Sequence, residues 1–206
     1  MKERPVIFNG EMVRAILDGR KTQTRRALNW KRQPYTEMAE RDDGSLWPWA
    51  EDGDRGGDIW FPCPFGEVGD RLWVRETWQG PLVDEEHFED YRANADKFQT
   101  PEFCEYAADG GARPEFCDLD DNAHQGWRPS IHMPRWASRT LLEITAVRVE
   151  RLQDISEADA IAEGGTKHFN IDWFGPLWAS IYGVDSWNAN PWVWVIEFKR
   201  VEAQHG

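Results

Sequence analysis

The amino-acid sequence of 206 residues predicts an α+β fold, a small and mostly antiparallel β-barrel with flanking helices. Segments with strand and helix periodicity follow one another in the order strand, helix, strand, strand, helix, strand. Two acidic stretches with many turn residues, the Trp-rich 31–66 and 79–126, interrupt this order. The length suits one sizeable core. We therefore expect a single domain over residues 1–206, with these two stretches as irregular insertions.

The first half of the chain contains three predicted elements. "PVIFN" (5–9) has the composition of a short strand, and "GEMVRAILDG" (10–19) places apolar residues on one face of a short helix. Gly19 suits the left-handed backbone that ends many helices. "GEVGDRLWVRETW" (66–78) predicts a turn at Gly69-Asp70 and a strand over 71–78.

The second half is regular from residue 140 onward. "TLLEITAVRVERL" (140–152) alternates and is rich in β-branched residues, which predicts a strand. Ser156 and Asp159 have the spacing of a capping box at the start of a helix that runs to Glu163 and ends at Gly164-Gly165. "IDWFGPLWASIYG" is a candidate second helix, and "PWVWVIEFKRV" (191–201) is the last strand.

Charge is distributed unevenly along the chain, whose net charge is −13. Residues 1–35 carry nine Lys and Arg against three Asp and Glu, whereas residues 36–125 carry seven against twenty-four. Because an acidic protein repels polyphosphate, this pattern argues against broad, salt-driven binding to nucleic acid. The basic N-terminal segment remains compatible with a compact anionic or polar ligand.

The apolar runs and the cysteines of the sequence indicate where the protein is located and whether it binds a metal. No run approaches the length that spans a bilayer, and "MKERPVIFNG" lacks the apolar core of a signal peptide. We therefore expect a cytoplasmic protein that does not associate with membranes. Cys63, Cys104, Cys117 and His124 have no C-x-x-C spacing, which disfavours a zinc site. We expect neither a metal nor a cofactor.

The stretch "AILDGRKTQTRR" places Lys21 and Thr24 three residues apart, with Arg20, Arg25 and Arg26 around them. A threonine hydroxyl becomes a nucleophile only when a base removes its proton, and a lysine can do so if its pKa is lowered. Burial and neighbouring cations both lower a lysine pKa. Alternatively, these residues form a solvated face or complement the dipole at the helix end. The residues alone leave both interpretations open.

Three stretches together resemble the ASCH superfamily, whose fold is a PUA-like β-barrel. They are "AILDGRKTQTRR", "GEVGDRLWVRETW", and "VERLQDISEADAIAEGGT" followed by "WVWVIEFKRV". The length of this chain and its stretch "WRPSIHMPRWASR" are similar to those of ASCH proteins of bacteriophages and prophages. The lysine–threonine motif is most similar to that of small bacterial N4-acetylcytidine amidohydrolases, which are about half as long.

The resemblance implies that Lys21, Thr24 and Glu163 are catalytic, because "ISEADAIAE" aligns with the helical segment that carries the family's glutamate. The implied reaction removes an acyl group from N4 of a cytosine nucleoside or nucleotide, without a metal, in a bacterial host cell. Glu163 would orient Lys21 and pass a proton to the leaving amine. Its charge would also oppose the lowering of the lysine pKa. Arg20, Arg25 and Arg26 are expected to contact substrate.

Five further residues are candidate substrate contacts. Glu76, in "VRETW", either faces the site or pairs with an arginine. His132 and Arg135 lie in the stiff "PSIHMPRW" segment, where the histidine either lines a ligand or packs. Trp78 and Trp136 either stack on a base or belong to the core.

Two other functions compete with the amidohydrolase. The first is a binding module for RNA or for a single modified base in RNA or DNA, in which arginines contact phosphate and tryptophans stack on the base; a ribonuclease is a variant of it. The second is an acidic phage protein that imitates nucleic acid and binds a host protein through residues 36–125. Only the amidohydrolase requires Lys21, Thr24 and Glu163 together.

Overall fold

The structure is a computed structural model that describes residues 1–28, 37–54, 56–118, 122–165 and 171–202. It is an α+β fold, as predicted. The strands are β1 (Glu3–Ile7), β2 (Gln23–Ala27), β3 (Glu37–Glu40), β4 (Leu46–Glu51), β5 (Asp58–Trp60), β6 (Arg71–Arg75), β7 (Trp78–Gln79), β8 (Glu105–Tyr106), β9 (Glu115–Cys117), β10 (Ala123–Gln125), β11 (Leu141–Arg151) and β12 (Trp192–Val201). The helices are α1 (Gly10–Leu17), α2 (Phe88–Ala93), α3 (Glu157–Ala162) and α4 (Ile171–Tyr182). No helix in the described residues is long and apolar enough to cross a membrane.

The chain folds into two compact units, each assembled from separate stretches of sequence. The first unit comprises Met1–Lys2, Asp18–Arg71 and Glu143–Lys199. The second unit comprises Glu3–Leu17, Leu72–Leu142 and Arg200–Gly206. Each is described below on its own.

The first unit is organised around strand β12. It pairs antiparallel with β2, so that Ile196 lies opposite Thr24 and Val195 opposite Arg25, and its other neighbour is β11. Helices α3 and α4 supply a hydrophobic cluster together with β12 and the segment after β11. The buried members of this cluster are Leu152, Ile155, Ala160, Phe174, Trp178, Val193 and Val195.

Helix α3 begins as the sequence predicts. The Ser156 hydroxyl accepts a hydrogen bond from the Asp159 backbone N–H at 3.1 Å, and the Asp159 carboxylate accepts one from the Ser156 backbone N–H at 3.2 Å. This reciprocal pair is a capping box, which satisfies N–H groups that a helix start leaves free. Glu163 is the C-cap residue. Its backbone N–H donates to the Asp159 carbonyl at 2.8 Å, so the helix itself holds the end that carries the predicted catalytic glutamate.

The prediction of an irregular insertion over 31–66 is wrong for the part that the structure describes, which excludes residues 29–36 and 55. Strands β3, β4 and β5 form an antiparallel sheet. Trp47 on β4 anchors it: the indole N–H donates to the Phe61 carbonyl at 2.7 Å, and the ring contacts Trp194 edge-on at 5.0 Å. The Asp- and Gly-rich segments connect short strands, and strands of three to six residues are too brief for their alternation to be recognised.

The second insertion, 79–126, also contains regular structure, although residues 119–121 lie outside the described part. It holds α2, the short strand β8 and the antiparallel hairpin of β9 and β10. One-turn helical segments connect them. The prediction of an entirely irregular insertion is therefore wrong here as well.

The predicted strand over 71–78 is divided in two. Strand β6 ends at Arg75 and β7 begins at Trp78. Between them, the backbone N–H of Glu76 points at the Met133 sulfur at 3.3 Å. Because that N–H has turned to a thioether instead of a neighbouring strand, the regular pairing stops at this position.

Candidate active site

Lys21 and Glu163 lie side by side in the first unit, although 142 residues separate them along the chain. They form an isolated antiparallel bridge. The Thr22 N–H donates to the Ala162 carbonyl at 2.8 Å, and the Phe198 N–H donates to the Thr22 carbonyl at 2.9 Å. The backbone thus holds the residue before β2, the end of α3 and strand β12 together, and it fixes Lys21 beside the C-cap of α3.

The ammonium group of Lys21 is buried and contacts Glu163. Its Nζ donates to Glu163 Oε2 at 2.7 Å and to the Glu163 carbonyl at 2.9 Å. The lysine side chain is 0% exposed, and that of Glu163 is 3% exposed. Burial lowers the pKa of Lys21, the charge and hydrogen bond of Glu163 oppose that shift, and Arg26 and Arg25 add to the lowering. The predicted effect of burial and of these two arginines on the lysine pKa is therefore present in the structure.

Arg25 holds the other oxygen of the glutamate. Its Nη1 donates to Glu163 Oε1 at 3.2 Å, and its Nη2 donates to Glu150 Oε1 at 2.5 Å and lies 3.4 Å from Asp159 Oδ2. The guanidinium is fully buried. Both carboxylate oxygens of Glu163 are thus engaged, one by Lys21 and one by Arg25, so its position is defined from two sides.

Arg148 extends this cluster of charges. It donates to Glu150 Oε2 at 3.1 Å and to Asp159 Oδ1 at 2.8 Å, and it also bonds to Glu197 and Gln23. Sequence reasoning identified neither Arg148 nor Glu150 as part of the site. Their signal was present in the alternation of β11, because two charged residues at positions i and i+2 of a strand lie on the same face.

Thr24 lies on β2, buried, opposite Ile196. Side chains alternate along a strand, so Thr24 and Arg26 point to one face and Gln23 and Arg25 to the other. Arg26 lies with its guanidinium 6.0 Å from the centre of the Phe65 ring. Arg20, in contrast, is partly exposed and donates to the Gly164 carbonyl at 3.1 Å and to Asp18 at 3.0 Å.

Glu76, in the second unit, pairs with an arginine. Two parallel hydrogen bonds of 3.0 Å join its carboxylate to Arg139, which also donates twice to Asp109 at 2.7 Å. The guanidinium lies 3.9 Å from the centre of the Tyr106 ring. Burial raises the pKa of Glu76, and Arg139 opposes the shift. Of the two interpretations left open for Glu76, the structure shows the arginine pair.

The other candidate contacts of the second unit occupy different surroundings. Trp78 is buried and meets Trp136 edge-on at 5.5 Å, in a cluster with Tyr106, Met133 and Ala137. His132 lies exposed in a one-turn helical segment. Arg135 donates to Glu3 at 2.8 Å. Within the described residues, no three His, Cys, Asp or Glu side chains are grouped so that they could hold a metal ion.

Comparison with models of protein families, with curated proteins and with solved structures finds no match to this chain. Its function therefore has to be inferred from the residues and their geometry.

Proposed function

We propose that this chain is an ASCH-type protein with a PUA-like β-barrel, and an amidohydrolase that removes an acyl group from N4 of a cytosine nucleoside or nucleotide. The buried contact between Lys21 and Glu163 carries the proposal. A lysine without any exposed side-chain surface is rare in folded proteins, and burial at this position lowers its pKa. Perturbed lysines of this kind are concentrated at catalytic sites.

The first half of the proposed reaction transfers the acyl group to Thr24. Neutral Lys21 takes the hydroxyl proton while Oγ1 forms a bond to the acyl carbon. The bond between the acyl carbon and N4 then breaks, and N4 receives the proton from Lys21 through Glu163. Cytosine leaves with a neutral amine.

The second half regenerates the enzyme. Water attacks the acyl ester on Thr24, giving its proton to Lys21, and the carboxylic acid leaves as the proton returns to Oγ1. The sum is an amide and water converted to an amine and an acid. Arg26 lies on the same face of β2 as Thr24 and close enough to Lys21 to lower its pKa. It is therefore placed to stabilise the negative charge on the acyl oxygen in both halves.

Thr24→Ser and Thr24→Val form a matched pair that tests this assignment. The first keeps a hydroxyl and the second keeps the shape of threonine without one. We expect the serine variant to release cytidine from N4-acetylcytidine at a measurable rate and the valine variant to lose at least about a hundredfold in kcat/KM. Activity retained in the valine variant would remove Thr24 from the mechanism.

The same assay separates the amidohydrolase from the binding module. Purified wild-type protein is offered N4-acetylcytidine, its deoxy form and a short RNA that contains the same base, and free cytidine or deacetylated RNA is measured. Turnover of the nucleosides supports the proposal. Tight binding of the RNA, without turnover of any of the three, would contradict it.

A further inference from the structure

A cleft of about 500 Å³ opens in the second unit, within the acidic insertion 79–126. Three aromatic rings line it: Phe88, Tyr91 and Phe116. Three carboxylates line it as well: Asp84, Glu85 and Glu115. This volume is in the range of clefts that enclose small organic ligands. The cleft lies outside the set of residues used by the proposed reaction.

The rings are held in place by packing. Phe88 and Tyr91 are three residues apart on α2 and so share one face of the helix. The Tyr91 ring meets the buried Phe98 edge-on at 5.6 Å. Phe116, on β9, stacks on His124 of β10 with ring centres 5.5 Å apart. All three lining rings remain partly exposed, so part of each ring is available to a ligand.

Among the residues that the structure describes, the lining includes three carboxylates and neither Lys nor Arg, so it is negatively charged. Basic side chains close to it contact acidic partners. His87 lies 2.6 Å from Asp84, and His124 lies 2.8 Å from Asp118. Arg92 lies 3.6 Å from Glu89 and 6.0 Å from the centre of the Phe88 ring. An anion entering this cleft would meet three carboxylates and no lining cation.

We propose that this cleft binds a small organic cation, an ammonium or amidinium head on an apolar body. The faces of aromatic rings attract cations, and nearby carboxylates add a Coulomb attraction. The apolar body would lie against Pro81 and Val83, which also line the cleft. A neutral ligand of the same shape would gain only the apolar part, so charge is the discriminating property.

Three probes with one apolar body and different heads test the proposal: phenylbutylamine, phenylbutanol and phenylbutyrate. Their dissociation constants are measured by calorimetry on the full chain. We expect the amine to bind at least tenfold more tightly than the alcohol and the acid to bind most weakly. Equal binding of amine and alcohol would overturn the proposal, because charge would then play no role.

Cys117 provides a local reporter, because it lines the cleft and is exposed. Cys63 is buried, and burial raises the pKa of the Cys104 thiol to about 11, so both react slowly with alkylating reagents. We expect saturating phenylbutylamine to slow the alkylation of Cys117 at least fivefold. An unchanged rate at saturation would place the amine elsewhere and overturn the proposal.

Two variants and a control complete the test. Glu115→Gln keeps the shape of the wall, and it should weaken phenylbutylamine about fivefold without changing phenylbutanol. Phe116→Ala should weaken both probes. The exposed Glu102 lies outside the cleft, so Glu102→Gln should leave both affinities unchanged. If Glu102→Gln weakens the amine as much as Glu115→Gln does, the attraction is to the general negative charge and the proposed site is refuted.

Discussion

Both units bury an acid–base cluster, but the cations in them differ. In the first unit, Glu163 receives Lys21 on one oxygen and Arg25 on the other. In the second unit, Glu76 receives both hydrogen bonds from the planar fork of Arg139. Glu76 and Glu163 are almost equally buried, at 1% and 3% exposure. Burial therefore does not distinguish the two clusters.

The difference lies in what each cation can do with a proton. An arginine in a two-bond pair stays charged and holds its partner in one orientation. A buried lysine can lose its proton near neutral pH and then act as a base. The Arg139 cluster is suited to holding the fold, whereas Lys21 is suited to proton transfer. Substitutions that exchange or remove these cations distinguish the two roles.

The largest effect is expected from Lys21→Arg, which gives the first cluster the kind of cation found in the second. Arginine keeps the charge and can hydrogen-bond to Glu163, but it cannot take a proton from Thr24. We expect kcat/KM for N4-acetylcytidine to fall at least about a thousandfold, and Lys21→Met to fall equally. Substantial activity in the arginine variant would show that Lys21 acts only through its charge.

Arg139→Met breaks the second cluster. Removal of the Arg139 guanidinium leaves Glu76 buried without its charge partner. Such changes typically lower the free energy of unfolding by about 3–5 kcal/mol. Urea denaturation measures the effect. The double variant Arg139→Met with Glu76→Gln should recover part of the loss, because no uncompensated charge remains. A single variant as stable as wild type would show that the fork does not hold the fold.

The two clusters should give opposite pH dependences of stability. The pKa of Lys21 in the folded chain is lowered below its ordinary 10.5. Between the lowered pKa and 10.5, the folded chain binds fewer protons than the unfolded chain, so stability rises with pH. The pKa of Glu76 is raised above its ordinary 4.5, so there the folded chain binds more protons and stability falls as pH rises. The free energy of unfolding is measured against pH for wild type and both variants. Lys21→Met should lose the alkaline slope, and Glu76→Gln should lose the acid slope. A wild-type alkaline slope that persists in Lys21→Met would contradict the assignment to lysine.

The smallest effect is expected from Ser156→Ala, which removes the cap of the helix that positions Glu163. The loss should be about 1 kcal/mol in the free energy of unfolding. Ser180→Ala, which removes an exposed hydroxyl that donates to the Leu177 carbonyl within α4, is the matched control and should change stability by much less. Equal losses in both variants would mean that the capping box is not specifically stabilising.

The regular elements could be predicted because their patterns are long. Strand β11 spans eleven residues and helix α3 begins with a recognisable cap, so both were found close to their observed bounds. The regular structure within the two insertions was not predicted, because strands of two to six residues carry too little alternation and their pairing depends on contacts such as Trp47 with Trp194.

The candidate site shows the same limit. The resemblance suggested Lys21 and Glu163 as partners, and the structure places them in contact. Alternation along β11 puts Arg148 and Glu150 on one face, but it does not show that Arg148 also meets Asp159 of α3 and Glu197 of β12, which only the fold brings together. The strand face occupied by Thr24 depends on the register of β2 with β12, which only the fold defines.

The most direct test of the central claim is the release of cytidine from N4-acetylcytidine by wild type and by Lys21→Met, followed across pH. The account predicts turnover by wild type that rises with pH as Lys21 loses its proton, and at least about a thousandfold less by the variant at every pH. Absence of wild-type turnover, or equal turnover by the two proteins, would contradict it.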